Sequence, residues 1–519
     1  MGRELTNSSP VSESYQIALQ NLDHMRGIIL ACRYKLPARL VPQTSHHALV
    51  NTFEGAVARV VLKHPHMHIG LAGEGTNKAC WVRLGSINLQ NHIQWTILRG
   101  SANEFRKTLL QVSNQQLDTK FIDYRHLPGW RINVLRQEGS DFIEVLLVFN
   151  HTNMDGTSAR IFHAELLQNL HFHHQTPNDS LLRDHVLTLP GNSTQRLSPP
   201  PETLLQFPVE PKAMIQFLKV ETRTPAAKYP RSPAQAHWAP IRAAPFKTQF
   251  RCITVPNSLL SNLVQACHGH ETTLTGLLHA LILVSLTPLL EPPDATAFGF
   301  LTAMDIRRLL PPYHPSYPWF KADQAMSNYV TIVSHFADEA FVAQVRSKYS
   351  PHDSTDSRFE ALMDLIWSAA RRVRQDFEAK RRQETKNDMI GFSQAIRDWR
   401  AQLIEHVRRP RPSSWVITNL GLIDGDPVAS PSPADTSEKL EPESAWSITR
   451  AQFLMCANVV SSAFGISMAA VKGGDLVIAC NWQDCVVDGI LAETFVKNLE
   501  KWLMFVARYQ DDWSITGHG

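Results

Sequence analysis

The sequence predicts a mixed α/β (α+β) protein built as two successive halves. The chain has 519 residues, which is more than one ordinary hydrophobic core accommodates. Strand-like and helix-like stretches alternate on both sides of a proline-rich region. We therefore expect an N-terminal lobe over residues 1–205, a crossover over residues 206–245 and a C-terminal lobe over residues 246–519.

The first half alternates between helical and strand patterns. "HHALVNTFEGAVARVVLK" has apolar residues at helical spacing, and "ACWVRL" and "NHIQWTIL" have the composition of strands. After Pro65 the pattern changes to that of a strand, which would place His64, His66 and His68 on one face. "WRINVLRQEGSDFIEVLLVFNH" predicts a hairpin, and the residues after Gly156 predict an amphipathic helix.

The second half opens with a predicted strand, "TQFRCITVP", which is followed by the helical pattern "ETTLTGLLHALILVSL" and by a further strand, "AFGFLTAMDIR". The apolar run from Leu274 to Leu290 is short for a membrane span, so we expect a buried helix. Residues 357–408 predict a charged, solvated helix, and residues 426–445 predict a disordered insertion. "AFGISMAAVKGGDLVIACNW" predicts a hairpin before the last helix.

Composition and charge argue against several classes of protein. The formal net charge is +3, which gives no strong field for nucleic acid or an anionic membrane. The seven cysteines include no CxxC pair, so we expect no disulfide framework and a reducing compartment. "MGRELT" matches the myristoylation template at Gly2, but Arg3 is unfavourable and no polybasic signal follows. We expect a cytoplasmic monomer without a membrane span.

The stretch "LLVFNHTNMDGTSARIF" contains the candidate chemistry. His151, Asp155 and Gly156 form the pattern HxxxDG where an apolar strand ends and a helix begins. A neutral imidazole can take a proton from a hydroxyl group, which then becomes a nucleophile. Asp155 could stabilise the imidazolium or shape the loop, and Gly156 would permit a backbone angle that other residues resist.

Other interpretations of these histidines are open. His151 could be a satisfied core histidine beside a helix-capping aspartate. A serine hydrolase is disfavoured because the chain has no G-x-S-x-G elbow. "HPHMH" and "HFHH", the latter with His171, His173 and His174, lack an acidic or cysteine partner at a recognised ligand spacing. We therefore expect no metal site.

The stretch "FNHTNMDGTSARIFHAEL" resembles the active-site motif of the CoA-dependent acyltransferases related to condensation domains of peptide synthetases. This superfamily includes the plant BAHD enzymes and the fungal alcohol O-acetyltransferases. Five further pieces are similar to the family and occur in its order between residues 45 and 510: "VARVVLKHPHMHIG", "TTLTGLLHALILVSL", "LTAMDIRRLLP", "WVITNLGLID" and "GGDLVIACNWQDCVVDGILAETFVKNLEKWL". The resemblance therefore covers nearly the whole chain.

The resemblance implies two chloramphenicol-acetyltransferase-like lobes with a central solvent tunnel. His151 would be the general base, reached by acyl-CoA from one face and by a small alcohol acceptor from the other. Asp155 would be mainly structural, paired with Arg307, with Arg308 as a less favoured substitute. Acetyl-CoA would be a co-substrate, with no permanently bound cofactor and no acyl-enzyme.

Two differences from the motifs of the superfamily narrow the group of enzymes that the chain resembles. Condensation domains carry a second histidine at the position of Asn150, which favours a simple acyltransferase. The plant motif DFGWG is absent. The chain looks most like fungal secondary-metabolite O-acetyltransferases of the trichothecene C-15 kind. A condensation-type enzyme that uses a carrier-protein thioester or forms an amide is the alternative, and a non-catalytic binding module is a second one.

Contacts to the two substrates are less defined. Thr418 and Asn419 of "WVITNLG", or backbone N–H groups near Gly156, would supply donors for the tetrahedral oxyanion. The CoA phosphates require basic residues. Candidates lie at Arg371, Arg372 and Arg374, for which a solvated helix face is the preferred interpretation.

Overall fold

The computed structural model describes residues 11–76, 78–171, 181–190, 196–221, 232–350, 355–426 and 445–508. The predicted insertion at 426–445 lies outside these residues except for its two end positions, and so do Gly2, His173 and His174. The described helices are α1 (Val11–Asn21), α2 (His46–Lys63), α3 (Ala102–Asp118), α4 (Gly156–His171), α5 (Pro201–Leu204), α6 (Pro211–Glu221), α7 (Asn257–Gly269), α8 (Leu274–Leu286), α9 (Glu339–Lys348), α10 (Thr355–Gln383), α11 (Met389–Ser393), α12 (Trp399–His406) and α13 (Gly489–Arg508).

The described strands are β1 (Ile28–Lys35), β2 (Ile69–Ala72), β3 (Cys80–Arg83), β4 (Ser86–Asn88), β5 (Ile93–Leu98), β6 (Trp130–Gln137), β7 (Phe142–Phe149), β8 (Leu182–Arg183), β9 (Val186–Thr188), β10 (Thr248–Val255), β11 (Phe298–Asp305), β12 (Val330–Ala337), β13 (Trp415–Ile423), β14 (Ser447–Met455), β15 (Phe464–Val471) and β16 (Leu476–Gln483). β6 and β7 pair in antiparallel orientation, as do β15 and β16. Both predicted hairpins are therefore confirmed.

Two larger sheets organise the two lobes. The first has the strand order β14-β1-β7-β6-β5, and the second has the order β10-β16-β15-β13-β11-β12. α3 and α4 pack against the first sheet, and α8, α10 and α13 pack against the second. A strand of the second half of the chain completes the first sheet, because β14 pairs with β1 in antiparallel orientation. The chain therefore crosses between the lobes again after residue 426.

Helix α8 is the buried helix that the apolar run predicts. Its residues from Gly276 to Leu286 are all buried in the core of the second lobe. No single helix in the described ranges is long and apolar enough to cross a membrane. The pair Asn257–Gly269 and Leu274–Leu289 meets the requirement together, with a bend of 94° between its members.

The segment after Pro65 differs from the prediction. Pro65–Met67 forms a 3-10 helix, and strand β2 begins only at Ile69. The expectation that His64, His66 and His68 share one face of a strand is therefore wrong. The proline fixes its own backbone angle near the helical value and starts a helical turn in place of the strand.

Candidate active site

The HxxxDG motif forms the turn between β7 and α4. The backbone N–H of Asn150, just after β7, donates to the carbonyl of Gly129 at 2.8 Å. The Asn150 side chain accepts a hydrogen bond from the backbone N–H of Thr152 at 2.8 Å, which folds the turn back on itself. Asn150 is 1% exposed, and these two hydrogen bonds stabilise the turn from its buried side.

His151 is partly buried, and its ring is held on one side only. Nδ1 lies 3.1 Å from the carbonyl oxygen of Met154 and 3.2 Å from the side-chain nitrogen of Asn328. Nε2 has no hydrogen-bond partner among the described residues. Burial lowers the pKa of His151 below its ordinary value of 6.5, while the charge of Asp155 and the Met154 carbonyl act in the opposite direction.

Asp155 is 1% exposed, and both carboxylate oxygens are bonded. The backbone N–H of Ser158 donates to Oδ1 at 2.8 Å, so Asp155 is the N-cap of α4. The backbone N–H of Tyr329 donates to Oδ2 at 3.0 Å. Burial alone would raise the pKa of this carboxyl, but Arg307 and these hydrogen bonds outweigh burial and hold the pKa below its ordinary range.

Arg307 and Asp155 form a bidentate ion pair between the lobes. Nη1 donates to Oδ2 of Asp155 at 2.7 Å and Nη2 donates to Oδ1 at 3.0 Å. Nη2 also donates to the carbonyls of Ala325 and Ser327, each at 3.0 Å. Arg308 is exposed, so the structure brings Arg307, and not its neighbour, to the motif. Since the carboxylate is fully occupied here, it is placed to hold the turn and not to act on a substrate.

The segment from Ser327 to Tyr329 is part of the candidate site, although no sequence pattern pointed to it. Asn328 donates from Nδ2 to the backbone carbonyl of His151 at 3.0 Å. Ser327 donates its backbone N–H to the Ser158 hydroxyl at 3.1 Å, and Tyr329 contacts Asp155 as described above. These residues lie just before β12, far from the motif along the chain. Only the pairing of β12 with β11, which leads to Arg307, brings them to the turn.

Gly156 has a different role from the predicted one. It is the first residue of α4, and its backbone angle is not in the left-handed region. A Cβ atom at this position would collide with the Leu420 side chain of β13. The glycine is therefore needed for space between the lobes, and the expectation of a special backbone angle is wrong.

Thr418 and Asn419 lie on β13, whose Leu420 contacts α4. Neither side chain forms a hydrogen bond with His151 among the described residues. Asn419 is occupied locally, because its amide donates to the Thr275 hydroxyl at 3.1 Å and its oxygen accepts the backbone N–H of Gly421 at 2.8 Å. Within the described part of the chain, the Thr418 hydroxyl has one hydrogen-bond partner, the sulfur of Met455, at a long distance of 3.7 Å. Thr418 is therefore the freer donor of the two.

Several of the other basic and histidine candidates have ion-pair partners outside the turn. Arg372 pairs with Asp338 at 3.8 Å and Arg374 with Glu378 at 3.0 Å, as expected for a solvated helix face. His64 lies 2.7 Å from Glu165, which also pairs with Lys63. Among the described residues no group of three histidine, cysteine or acidic side chains is arranged to hold a metal ion.

Solved structures show which fold the chain has. The trichothecene 15-O-acetyltransferase TRI3 from Fusarium sporotrichioides superposes with a TM-score of 0.68 at 13% identity, covering 96% of this chain and 94% of that one. The condensation domain of the monacolin K polyketide synthase MokA gives a TM-score of 0.54 at 11% identity, covering 97% and 98%. The chain therefore has the fold of two chloramphenicol-acetyltransferase-like lobes.

Sequence comparison identifies the family within this class. A family model described as "Alcohol acetyltransferase" matches residues 104–480, so the chain belongs to the alcohol acetyltransferase family. The chain is 26% identical to the "Probable alcohol acetyltransferase FCK4" of Fusarium pseudograminearum over 476 residues, which cover 86% of this chain and 85% of that protein. The protein is an O-acetyltransferase.

Proposed function

We propose that this enzyme transfers an acetyl group from acetyl-CoA to a hydroxyl group of a small secondary metabolite, with His151 as the general base. The family supports acetyl transfer to an alcohol. The metabolite class is inferred from the relatives, one of which is named for a trichothecene. The observation that carries the mechanism is the one-sided bonding of the His151 ring.

The tautomer of His151 follows from its neighbours. Nδ1 faces both the Met154 carbonyl and the Asn328 amide nitrogen. The carbonyl requires a proton on Nδ1, whereas a hydrogen bond from the amide requires Nδ1 to be unprotonated. Asn328 already donates to the His151 carbonyl at 3.0 Å, whereas the Met154 carbonyl can only accept. We therefore assign the proton to Nδ1, which leaves the lone pair of Nε2 to accept a proton from substrate.

The reaction then needs no covalent intermediate on the enzyme. Nε2 removes the proton of the acceptor hydroxyl as its oxygen attacks the thioester carbonyl. The tetrahedral intermediate collapses and breaks the carbon–sulfur bond, and the imidazolium returns the proton to the departing CoA thiolate. The products are the acetyl ester and CoA, and His151 is neutral again. The lowered pKa of His151 favours the neutral ring that begins this cycle.

Other residues have supporting roles in this proposal. Asp155 and Arg307 hold the turn between the lobes through their ion pair. The hydroxyl of Thr418 is the candidate donor to the oxyanion, because the Asn419 side chain is already occupied. The tunnel implied by the family resemblance would deliver acetyl-CoA and the alcohol to opposite sides of His151 and so supply proximity.

The test is CoA release from acetyl-CoA by purified protein with a panel of hydroxylated terpenoids and polyketides. The His151→Ala variant is measured beside the wild type, with His126→Ala as a matched control because His126 is exposed. We expect acceptor-dependent release that is lost only in His151→Ala. Equal activity in both variants would refute the role of His151. Release only from an acetyl group tethered to a carrier protein would favour the condensation-type alternative.

A further inference from the structure

A pocket between the lobes adjoins the segment that contacts Arg307, the partner of Asp155 in the His151 turn. It has a volume of about 320 Å³ and is lined from the first lobe by the end of α2 and from the second lobe by residues 319–326. Met326 lines the pocket and lies two residues before Asn328, which contacts His151. This volume is at the lower end of the range for small-molecule sites. The pocket therefore accommodates one substrate or the end of a larger one.

The charged side chains of the pocket lining are all basic. They are Lys63, Arg196 and Lys321. The charge of Lys63 is compensated by a salt bridge to Glu165 at 2.7 Å. For Arg196 and Lys321 no carboxylate lies within salt-bridge distance among the described residues, and both are exposed. Two cations therefore stand at the rim without a protein counterion there, which favours an anionic ligand.

The pocket lining also contains a buried histidine. His66 is 2% exposed and has no partner for either ring nitrogen among the described residues. Burial lowers the pKa of His66 to about 3, so the ring is neutral. Because both nitrogens are enclosed by protein atoms, the rim cations and not this ring are available to a ligand.

Two aromatic side chains also line the pocket. Trp319 is 37% exposed and Phe320 is 6% exposed, and their rings are nearly perpendicular with centroids 6.4 Å apart. An exposed tryptophan at the mouth of a pocket gives an apolar surface on which a ring can pack. The pocket thus combines an apolar wall with a basic rim.

We propose that this pocket binds an oxyanion carried by one of the two substrates, with Arg196 and Lys321 as its ionic partners. The oxyanion is either a phosphate of CoA or a carboxylate of the alcohol acceptor. This inference rests on the proposed function, because it assigns the ligand to that reaction. In either case the two rim cations determine affinity for a charged substrate and leave the chemistry at His151 unchanged.

The test measures binding and does not require turnover. Affinities are determined calorimetrically at low ionic strength for CoA, for dephospho-CoA and for a panel of hydroxylated aromatic acids paired with their methyl esters. The test variant carries Arg196→Glu and Lys321→Glu. The control carries Lys497→Glu and Lys501→Glu, which reverse the same charge on the exposed face of α13.

We expect the test variant to lose about tenfold or more in affinity for one probe class, and the control to lose little, because the effect is local. A loss confined to CoA assigns the pocket to the donor phosphates. A loss for the acids, with no change for their esters or for CoA, assigns it to an acidic acceptor. The proposal is overturned if both variants bind alike, or if the wild type binds neither probe class. Failure of the proposed function would appear separately, as the absence of acetyl transfer that depends on His151.

Discussion

Two histidines share a lowered pKa but differ in their bonding: His151, which is partly buried in the turn between the lobes, and His279, which is buried in the core of the second lobe. Burial holds the pKa of each ring below its ordinary value. His279 has both nitrogens occupied, since Trp415 donates to Nδ1 at 2.9 Å and Nε2 lies 2.7 Å from the Thr302 hydroxyl. Among the described residues the His151 ring is hydrogen-bonded only through Nδ1. A free ring nitrogen, and not the direction of the pKa, therefore distinguishes the candidate base from the structural histidine.

The bonding around His279 has a fixed direction. The indole of Trp415 can only donate, so Nδ1 of His279 accepts and Nε2 carries the proton toward Thr302. The Thr302 hydroxyl then donates to Nε2 of His335 at 3.0 Å, and Nδ1 of His335 donates to Asp376 at 2.8 Å. Every member has a partner, which fits a structural network and leaves no atom for a substrate.

The largest expected effect separates the two histidines by activity. His151→Ala should lower kcat/KM by about 10²- to 10⁴-fold, because a general base typically contributes that much. Its free energy of unfolding should change little, since the ring makes few buried bonds. Steady-state kinetics and urea unfolding of the same preparation measure both quantities. A variant that loses stability in proportion to activity would show that His151 is a core residue after all.

The next effect concerns the ion pair that holds the turn. Arg307→Ala should reduce the free energy of unfolding by about 3–5 kcal/mol, because it leaves the Asp155 carboxylate buried without its partner. Arg308→Ala is the matched control, since Arg308 is exposed beside it. Chemical denaturation of the two variants gives the comparison. Equal stabilities would argue against a structural role for the pair.

The pH dependence of the free energy of unfolding gives a second test of the ion pair between Asp155 and Arg307. In the wild type the folded-state pKa of Asp155 lies below its ordinary value of 3.8, so the pair's contribution is complete above that pH and is lost as the pH falls through the folded pKa. In Arg307→Ala, burial without the guanidinium should raise that pKa instead. The stability of the variant should therefore approach that of the wild type in acid.

A smaller effect is expected within the second lobe. Thr302→Val keeps the shape of the side chain but removes the hydroxyl between His279 and His335, which should cost about 1–3 kcal/mol. Thr254→Val, at an exposed position of β10, is the control. Thermal or urea unfolding measures the difference. Activity per folded molecule should be unchanged, and a selective loss of kcat would connect this network to the chemistry.

The smallest expected effect is on the pH profile of catalysis. The acid limb of kcat/KM should have its midpoint below 6.5, because burial lowers the pKa of the His151 base. Activity should rise as pH increases through that midpoint and then level off. Initial rates with subsaturating acceptor give the profile. A midpoint above 6.5 would mean that the charge of Asp155 outweighs burial at the His151 ring.

Much of the local structure around the candidate site could be predicted from the amino-acid sequence. The strand, turn and helix around His151 follow from an apolar run, a capping aspartate and the helical spacing after Gly156, all of which are local. The hairpins and the buried helix α8 follow for the same reason. The prediction of a strand directly after Pro65 was wrong, because the proline starts a 3-10 helical turn within a strand-like pattern.

The contacts that build the candidate site are not local. Asp155 and Arg307 are 152 positions apart, and Asn328 is 177 positions from His151. Family resemblance suggested the first of these pairs, but nothing in the residue types pointed to Asn328. The tertiary structure also showed that Gly156 gives space to Leu420 and that Asn419 is already bonded.

The sequence by itself thus determined which residue has the chemistry of a base and which elements flank it, because spacing and residue type act over a few positions. Only the tertiary structure decided which ring nitrogen of His151 is left without a partner among the described residues and which basic residues line one pocket between the lobes. These properties depend on atoms that the packing of two lobes brings from distant parts of the chain, and no short pattern encodes that packing.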